Sequence, residues 1–236
     1  MPDKKRTQIR LATYNIHRCI GADGRASPER ILGVIKEMSA DIIALQELDL
    51  HSDPALNLLD YFARHTGLTP IAGPTIFKPE SLYGNALLTA LPIRDTRRID
   101  LTVPDHEPRG ALDIALDWHG RKVHLIATHL GLNPAERRRQ VRLLLNLIEK
   151  EISDLTILMG DLNEWFLWGR PLRWLNQVFP VSQRRRTFPA SLPLFALDRI
   201  WVTPSMSLVE LQVHDSRLAR KASDHLPLKA LLEMVR

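Results

Sequence analysis

The sequence has little cysteine and no long apolar run, and each shortage excludes a class of protein. The single cysteine, Cys19, cannot form a disulfide within the chain, so a disulfide scaffold is excluded and a reducing compartment is favoured. No apolar stretch approaches the roughly 18 residues of a transmembrane helix, and the charged start MPDKKRTQIR lacks the apolar segment of a signal peptide. We therefore expect a cytoplasmic protein without a transmembrane segment.

Several catalytic motifs are also absent from the sequence. It contains no G-x-S-x-G turn of the kind that carries a nucleophilic serine, and no G-x-x-x-x-G-K-[ST] loop of the kind that binds nucleotide phosphates. The histidines lack the spacing of structural zinc sites, and Cys19 has no second thiol to join it. Serine hydrolases, P-loop nucleotide hydrolases and structural zinc proteins are therefore disfavoured.

What the chain does contain is typical of a folded domain with a basic surface. Its 236 residues are 44% hydrophobic and 25% charged, which predicts a buried core in one domain spanning residues 1–236. The 32 basic and 27 acidic residues leave a net charge of +5, which favours anionic partners such as phosphates, nucleic acid or acidic lipids. We interpret the arginine runs at 137–139 and 184–186 as exposed faces of helices or loops.

Apolar periodicity predicts strands and helices with an antiparallel middle section. Helices are predicted from Pro28, with Ser27 as N-cap, and over residues 56–65 and 134–150. The strand-like segments are 9–16, 41–46, 85–91, 97–103, 110–118, 122–128, 156–159, 197–202, 208–213 and 226–232. Because consecutive strands without intervening helices pair antiparallel, we predict an α/β fold with mixed sheets covered by helices.

Polar side chains recur at the ends of these apolar strands. They are Asn15, Glu47, His129, Asp161 and Asn163 at strand ends, and Asp198, Asp224 and His225 at strand starts. Each residue alone is more commonly a turn, cap or structural residue. Together they provide carboxylates, amides and imidazoles at a sheet rim, where α/β proteins bind substrates.

The donor types indicate the metal and the reaction. Carboxylate and amide oxygens are hard ligands that suit Mg²⁺ or Mn²⁺. A metal on Glu47 would neutralise phosphate charge, and Asp198 would orient His225 for proton transfer. His129 and Asn163 would hydrogen-bond the phosphate oxygens. The residues therefore predict the hydrolysis of a phosphate ester.

Eight motifs occur in the order found in the endonuclease/exonuclease/phosphatase superfamily, which the sequence resembles from about Leu11 to Leu228. The motifs are TYNIH, LQELD, YGNALLT, RGALDIAL, THLGL, GDLN, LDRI and SDHLPL. The superfamily includes exonuclease III-like nucleases, deoxyribonuclease I, neutral sphingomyelinases and inositol polyphosphate 5-phosphatases. The resemblance implies a four-layer αββα sandwich, in which two mixed β-sheets pack face to face with helices outside and the site lies at one edge.

The resemblance also implies a role for each motif residue. The residues concerned are Asn15, Glu47 and Asp224 at a Mg²⁺ or Mn²⁺ site, and His129, Asp161, Asn163, Asp198 and His225 as catalytic residues. Family mechanisms differ over whether the aspartate of GDLN or the histidine of SDH activates the water, so the base is left open. Arg109, at the start of RGALDIAL, is interpreted either as a ligand of substrate phosphate or as a surface strand-end arginine.

Two departures from the DNA-repair branch bear on the substrate. That branch usually has Asp or Asn two residues after the first Asn, followed by G-L-R, whereas His17 stands here before RCIGADG. His17 is interpreted as either site-adjacent or buried and structural. The chain is also short for the loops that grip a duplex, and it looks closest to a compact bacterial group carrying YNIH, GNALL and THLGL. We predict a phosphodiesterase acting on a small or lipid-linked substrate, with a DNA or RNA nuclease as the alternative and a non-catalytic binding module as the third interpretation.

Three tryptophans, Trp165, Trp168 and Trp174, follow GDLN and are interleaved with arginines. If exposed, they suit anionic lipid headgroups or unpaired bases; the alternative is a buried amphipathic helix that closes the sandwich. Trp165 must lie within roughly 8 Å of Asn163 along the chain, so we predict that it lines the substrate cleft. Trp168 and Trp174 are free to face the core.

Overall fold

The computed structural model describes residues 7–51, 57–77, 81–180, 183–204 and 207–234. In these ranges the strands are β1 (Gln8–Asn15), β2 (Ile42–His51), β3 (Thr69–Phe77), β4 (Ser81–Thr89), β5 (Ile93–Asp100), β6 (Gly110–Trp118), β7 (Arg121–His129), β8 (Leu155–Asp161), β9 (Asp198–Thr203), β10 (Leu208–Val213) and β11 (Leu228–Glu233). The helices are α1 (Pro28–Met38), α2 (Leu58–Thr66), α3 (Pro134–Lys150), α4 (Arg170–Val178) and α5 (Ala219–Ala222), with a short 3₁₀ turn at His17–Cys19.

The strands form two mixed sheets, each with one parallel pair. The first sheet has the order β10-β11-β1-β2-β4-β3, and the second has the order β5-β6-β7-β8-β9. β1 and β2 are parallel and are connected through α1, while β7 and β8 are parallel and are connected through α3. The other neighbouring strands pair antiparallel, as the consecutive strands in the middle of the sequence predict.

Three apolar clusters separate the four layers. Inward-facing residues of both sheets, such as Leu11 and Ala44 of the first and Leu125 and Ile157 of the second, share the central cluster. Residues of α1, α2 and α5 pack on the outer face of the first sheet, and residues of α3 and α4 pack on the outer face of the second. The predicted αββα sandwich is therefore confirmed.

Local signals fix where the main helices begin. Ser27 immediately precedes Pro28, the first residue of α1, and its side chain accepts a hydrogen bond from the backbone N–H of Arg30. Asn133 caps α3, and Glu136 completes a capping box. α2 begins at Leu58 after an Asn57 cap, so the predicted start at residue 56 lies outside the described residues. None of the described helices has the length and apolar character needed to cross a membrane.

The strand β3 was not predicted, because its sequence contains Pro70, Gly73 and Pro74. β3 lies at the edge of the first sheet and pairs only with β4 among the described strands. Proline is tolerated at such an edge, where its missing N–H removes no ladder hydrogen bond. The edge position therefore explains why a strand forms where the composition argues against one.

Candidate active site

Strand register aligns polar residues across one end of the sandwich. His129 at the end of β7 is the register partner of Asp161 at the end of β8, and Asp161 is paired with Asp198 at the start of β9. In the first sheet, Asn15 ends β1 beside the parallel strand β2. The Asn15 amide donates to Asp161 Oδ2 over 3.1 Å, so the two sheets meet at this end.

Asp161 lies at the centre of this group and is only 1% exposed. Besides the Asn15 amide, its Oδ2 atom faces two imidazoles, with His129 Nε2 at 3.6 Å and His225 Nε2 at 3.7 Å. Its Oδ1 atom accepts a hydrogen bond from the backbone N–H of Asn163 over 2.9 Å. One buried carboxylate therefore connects both sheets, the GDLN turn and both predicted site histidines.

Gly160 allows Asp161 to reach this position. Its φ is +145°, and a Cβ built on it would lie 1.8 Å from the carbonyl oxygen of Thr128 on β7. Only glycine permits so close an approach of the two backbones, because any side chain would collide with the neighbouring strand. The glycine of GDLN is thus needed to seat the carboxylate beside His129.

Glu47 reaches the site through a bulge in β2. Leu45 pairs with Ala86 and Leu48 with Gly84, so residues 46 and 47 stand opposite the single residue Asn85. Glu47 has a positive φ of 58°, a backbone conformation that is uncommon for a residue other than glycine. Its half-buried carboxylate accepts a hydrogen bond from Asn15 Nδ2 over 2.9 Å. Pairing with β4 resumes after the bulge and carries β2 to His51, beyond its predicted end at residue 46.

Tyr83, in the YGNALLT motif, is a site residue that sequence reasoning missed. Burial and the Glu47 carboxylate raise the pKa of the Tyr83 phenol, so the hydroxyl stays protonated and hydrogen-bonds Glu47. The guanidinium of Arg18 lies over the Tyr83 ring, 5.7 Å from its centroid, and pairs with Asp49. Tyr83 and Arg18 therefore form the wall of the site on the Glu47 side.

His225 is held by a buried carboxylate on its far side. Its Nδ1 lies 2.9 Å from Asp198 Oδ2, and the Thr187 hydroxyl donates to the same oxygen over 2.6 Å. The structure thus places Asp198 against His225 as the sequence predicts. Thr187 belongs to none of the motifs, so sequence reasoning missed it.

The two histidines around Asp161 are driven to opposite protonation states. Burial alone would lower the pKa of His225, but the carboxylates of Asp198 and Asp161 outweigh it and raise the pKa to about 10. Burial and the Arg109 cation lower the pKa of His129 to about 3. At neutral pH, His225 is therefore charged and His129 is neutral, a divergence typical of sites that move protons.

Arg109 is a buried neighbour of His129 and is only 7% exposed, so its interpretation as a surface arginine is wrong. Its Nη1 donates to His129 Nδ1 over 3.1 Å, and its Nη2 pairs with Glu107. On the other side of the ring, Asn163 Nδ2 lies 3.0 Å from His129 Nε2 and donates to the Leu130 carbonyl. The imidazole is thereby fixed from both sides.

Asp224 and His17 lie at the margin of the buried group. Their side chains are 38% and 41% exposed, and His17 Nδ1 is 3.7 Å from Asp224 Oδ1. The backbone N–H of His17 donates to Asn15 Oδ1 over 3.0 Å. His17 is therefore site-adjacent, and its interpretation as a buried structural histidine is wrong.

The arginine run at 137–139 is not a uniform exposed face, which corrects the interpretation from sequence. Arg137 is 1% exposed and forms an ion pair with Glu164, the residue after Asn163, at 3.2 Å from Nε to Oε2. Its Nη1 also donates to the carbonyls of Gly131 and Leu132. The pair therefore ties the loop that follows β7 to the loop that follows β8. The run at 184–186 is exposed, as predicted.

The tryptophan segment divides into an exposed loop and a packed helix. α4 begins at Arg170 and buries Leu172 and Leu175, whereas residues 165–168 are exposed and Trp168 is 72% exposed. A buried helix through the whole segment is therefore wrong, and Trp168 does not face the core. The Trp165 ring lies 5.7 Å from that of Phe188, which lies 4.7 Å from the His225 ring.

The donor set at this end of the sandwich fits a hard divalent cation. The carboxylates of Asp161 and Asp198 have oxygen atoms within 4.8 Å of each other, and Glu47 adds a partly exposed carboxylate. Asp198 Oδ1 is buried without a hydrogen-bond partner among the described residues. Burial raises the pKa of Cys19 to about 12, so no thiolate competes as a soft ligand. A metal therefore has oxygen ligands available.

Comparison with known proteins agrees with this geometry. The family model described as the Endonuclease/Exonuclease/phosphatase family matches residues 12–225. The uncharacterised protein YbhP of Escherichia coli K12 is 30% identical over 255 aligned positions, which cover 99% of this chain and all of YbhP.

Two solved structures have the same fold. The endonuclease/exonuclease/phosphatase from Bacteroides vulgatus has a TM-score of 0.79 at 19% identity, covering 98% of this chain and 100% of its own. The mannosyl-6-phosphatase Bt3783 of Bacteroides thetaiotaomicron has a TM-score of 0.77 at 19% identity, covering 95% and 99%. The resemblance inferred from eight short motifs is thus confirmed, and the chain belongs to the endonuclease/exonuclease/phosphatase family.

Proposed function

We propose that the protein is a metal-dependent phosphoesterase whose preferred substrate is a small or lipid-linked phosphodiester. The observation that supports this most directly is the position of Asp161, which contacts Asn15 and faces both His129 and His225 at one buried point. Phosphate-ester hydrolysis needs a positioned water, a proton acceptor and groups that stabilise phosphate charge. The carboxylate, amide and imidazoles around Asp161 are the group types that such a reaction uses, and membership of a phosphoesterase family supports the same chemistry.

In this proposal Glu47 is the main metal ligand, and Mg²⁺ or Mn²⁺ is the metal. Asn15 donates from Nδ2 to both Glu47 and Asp161, so it orients the two carboxylates. Asp224, at the exposed margin, is the further residue available for binding a metal. When bound, a divalent cation offsets the charge of the phosphate and stabilises the leaving oxygen.

The proton of the attacking water goes to Asp161, because the charged His225 ring, whose Nε2 faces Asp161 Oδ2 at 3.7 Å, already holds both of its protons. His225 in turn donates a proton to the leaving oxygen. Asp198 positions the His225 ring through Nδ1, and Thr187 positions Asp198. His129 and Asn163 face the same space and bind the phosphate oxygens. Arg109 acts through His129, because it donates to the ring nitrogen on the side away from Asp161.

A nuclease is the second candidate, because the arginines at 184–186 offer exposed positive charge. Against it, the Phe188 ring lies against His225, and Trp165 contacts both Phe188 and Phe195. An aromatic wall suits an apolar group on the substrate better than a charged duplex backbone. The two candidates differ in their salt dependence, since phosphate contacts along a nucleic acid release counterions.

The test is an assay of purified protein with Mg²⁺ or Mn²⁺ on bis(p-nitrophenyl) phosphate, p-nitrophenyl phosphate, and single- and double-stranded oligonucleotides. The monoester is included because one protein of similar fold is a mannosyl-6-phosphatase. We expect turnover of the diester that is abolished by EDTA, reduced by at least roughly 10²-fold in His225→Ala, and retained in His65→Ala on the exposed face of α2. Oligonucleotide cleavage much faster than diester turnover, with steep salt dependence, would establish the nuclease instead.

A further inference from the structure

Exposed apolar side chains concentrate beside the proposed active site. Of the thirteen large hydrophobic residues that are exposed in the described part of the chain, seven fall between residues 165 and 195. We call these seven the apolar rim. They are Trp165, Phe166, Leu167, Trp168, Leu192, Leu194 and Phe195. Single exposed apolar residues are ordinary on a protein surface, but a cluster of this kind indicates a binding surface.

Two loops form the apolar rim, and they contact each other. The first loop, residues 165–168, follows the GDLN turn, and the second is the turn from Phe188 to Phe195. The Trp165 ring lies against Phe188 and Phe195, with ring centroids 5.7 Å and 4.9 Å apart. The apolar rim is therefore one surface built from two loops.

The second loop is attached to the segment that carries His225. The Ala190 N–H donates to the Asp224 carbonyl over 2.6 Å, and the Leu226 N–H donates to the Thr187 carbonyl over 2.8 Å. The Phe188 ring also lies against the His225 imidazole. A surface that seats against the apolar rim would thus lie directly beside the reacting groups.

The charge of the segment that carries the apolar rim, residues 165–197, is as uneven as its hydrophobicity. From Trp165 to Leu197 there is no Asp or Glu, and there are five arginines, at 170, 173, 184, 185 and 186. These five equal the whole net charge of +5, because the rest of the chain has 27 basic and 27 acidic residues. All five arginines are exposed. The segment therefore joins an apolar surface to positive charge without a compensating carboxylate.

We infer that the apolar rim docks the protein on an anionic lipid surface, so that a lipid-linked phosphodiester enters the site from that surface. Trp, Phe and Leu insert at the boundary between headgroups and acyl chains, while arginines pair with anionic headgroups. The identity of the cleaved bond rests on the proposed function, but the docking itself does not.

The residue types favour a lipid surface over a single-stranded nucleic acid. Leu167, Leu192 and Leu194 have no aromatic face on which a base can stack, yet they pack readily among acyl chains. Trp165 already makes edge contacts with Phe188 and Phe195, so it is less available as a stacking platform. Nucleic acid is therefore the alternative that the experiment must separate.

The experiment measures cosedimentation of the full chain with vesicles of phosphatidylcholine alone and with vesicles containing about 30 mol% phosphatidylglycerol, which gives the surface a negative potential. We expect binding to the anionic vesicles and much weaker binding to the neutral ones. Phe166→Ser with Trp168→Ser should reduce anionic binding by about tenfold or more, because two exposed apolar anchors are lost. Arg184→Gln with Arg186→Gln should reduce it by about fivefold per arginine.

The matched controls are Ile152→Ser and Lys150→Gln. Ile152 is 91% exposed and precedes β8, so it lies about 20 Å from Asp161 at the other end of that strand. These variants should bind anionic vesicles within about twofold of the wild type, because an exposed apolar residue and an exposed cation are removed at the other end of β8. Circular dichroism of every variant separates lost docking from lost folding.

Docking is overturned if folded Phe166→Ser/Trp168→Ser protein binds anionic vesicles like the wild type, or if the wild type prefers a single-stranded oligonucleotide to the vesicles. Docking and catalysis fail separately. A wild type that binds vesicles but hydrolyses no phosphate ester retains the docking and loses the proposed function. A wild type that hydrolyses the soluble diester but does not bind vesicles retains the proposed function and loses the docking.

Discussion

The two strand–helix–strand crossovers, β1–α1–β2 and β7–α3–β8, bring polar residues to the same end of the sandwich but surround them differently. In the first crossover, Glu47 is partly exposed and sits on a bulge with positive φ. In the second, His129 and Asp161 end regular parallel strands and are almost completely buried. The open side suits groups that exchange, such as a metal and water, whereas the buried side suits groups whose geometry must stay fixed.

The pairing of polar groups follows the same division. On the buried side, Asn163 contacts His129 and Leu130, and Glu164 is paired with Arg137. On the open side, Glu47 has hydrogen bonds from Asn15 and Tyr83 and keeps access to solvent. Under the proposed function, ligand exchange would fall to the open side at Glu47, and proton transfer would fall to the buried group around Asp161 and His225.

Substitutions in the buried group around Asp161 should give the largest loss of activity. His225→Ala should reduce kcat by roughly 10²-fold to 10⁴-fold, the range for a proton-transfer group, and Asp198→Asn should lose part of the same effect. Because Asp198 acts through His225, the double variant should be little worse than His225→Ala alone. The kinetics of the two single variants and the double variant measure this. Losses that multiply would contradict the positioning role of Asp198.

A substitution at Glu47, on the open side, should weaken the activation of the enzyme by Mg²⁺. Glu47→Gln removes the charged ligand but keeps its shape, so activity at fixed Mg²⁺ should fall by roughly 10²-fold with little change in fold. Titration of Mg²⁺ and of Mn²⁺ into both proteins measures the shift. Glu149→Gln, on the exposed face of α3, is the matched control. Full activity of the wild type in excess EDTA would show that the reaction needs no metal.

Removing one partner of the buried ion pair tests the rigidity of the second crossover. Arg137→Met leaves the Glu164 carboxylate buried and unpaired, which should destabilise the fold by about 3–5 kcal/mol and lower Tm by roughly 10 °C. Arg137→Met with Glu164→Gln should recover part of that loss, because the unpaired charge is gone. Thermal unfolding measures both variants. An unchanged Tm for Arg137→Met would mean that the pair does not hold the two loops together.

The sequence predicts this division only in part. Asn15, His129, Asp161 and Asp198 are visible because an apolar run ends in a polar residue, and strand register then brings such ends together. The bulge that aims Glu47 is not visible, because alternation along β2 carries no mark of an extra residue. The edge strand β3 is not visible either, because its prolines argue against a strand in the sequence alone.

Contacts between segments distant in sequence were the other part that could not be predicted. Thr187 reaches Asp198 from a loop without a motif, and Arg137 is buried although its neighbours in the run are partly or fully exposed. Tyr83 contacts Glu47 only because β2 and β4 pair in the observed register. Such partners are determined by tertiary packing, which no local pattern records.

The smallest expected effect concerns Trp165, one of the aromatic residues beside His225. Trp165 is 37% exposed and contacts Phe188, which contacts His225, so it lies one side chain away from the His225 imidazole. A small chromogenic diester bound at Asp161 does not extend that far, whereas a substrate with a large apolar group does. Trp165→Ala should therefore raise KM severalfold for the large substrate and leave KM for the small one nearly unchanged.

The control for this prediction is Ile152→Ala, which removes an exposed apolar side chain at the far end of β8 and should alter neither KM. Steady-state kinetics on a short-chain and a long-chain ester of the same phosphodiester measure the difference, because only the apolar group varies between them. Since Trp165 contacts neither Asp161 nor His225 in the described contacts, kcat for the short-chain ester should stay close to the wild-type value. An equal rise in KM for both esters, with an unchanged fold, would remove Trp165 from substrate recognition and leave it as a packing residue between two loops.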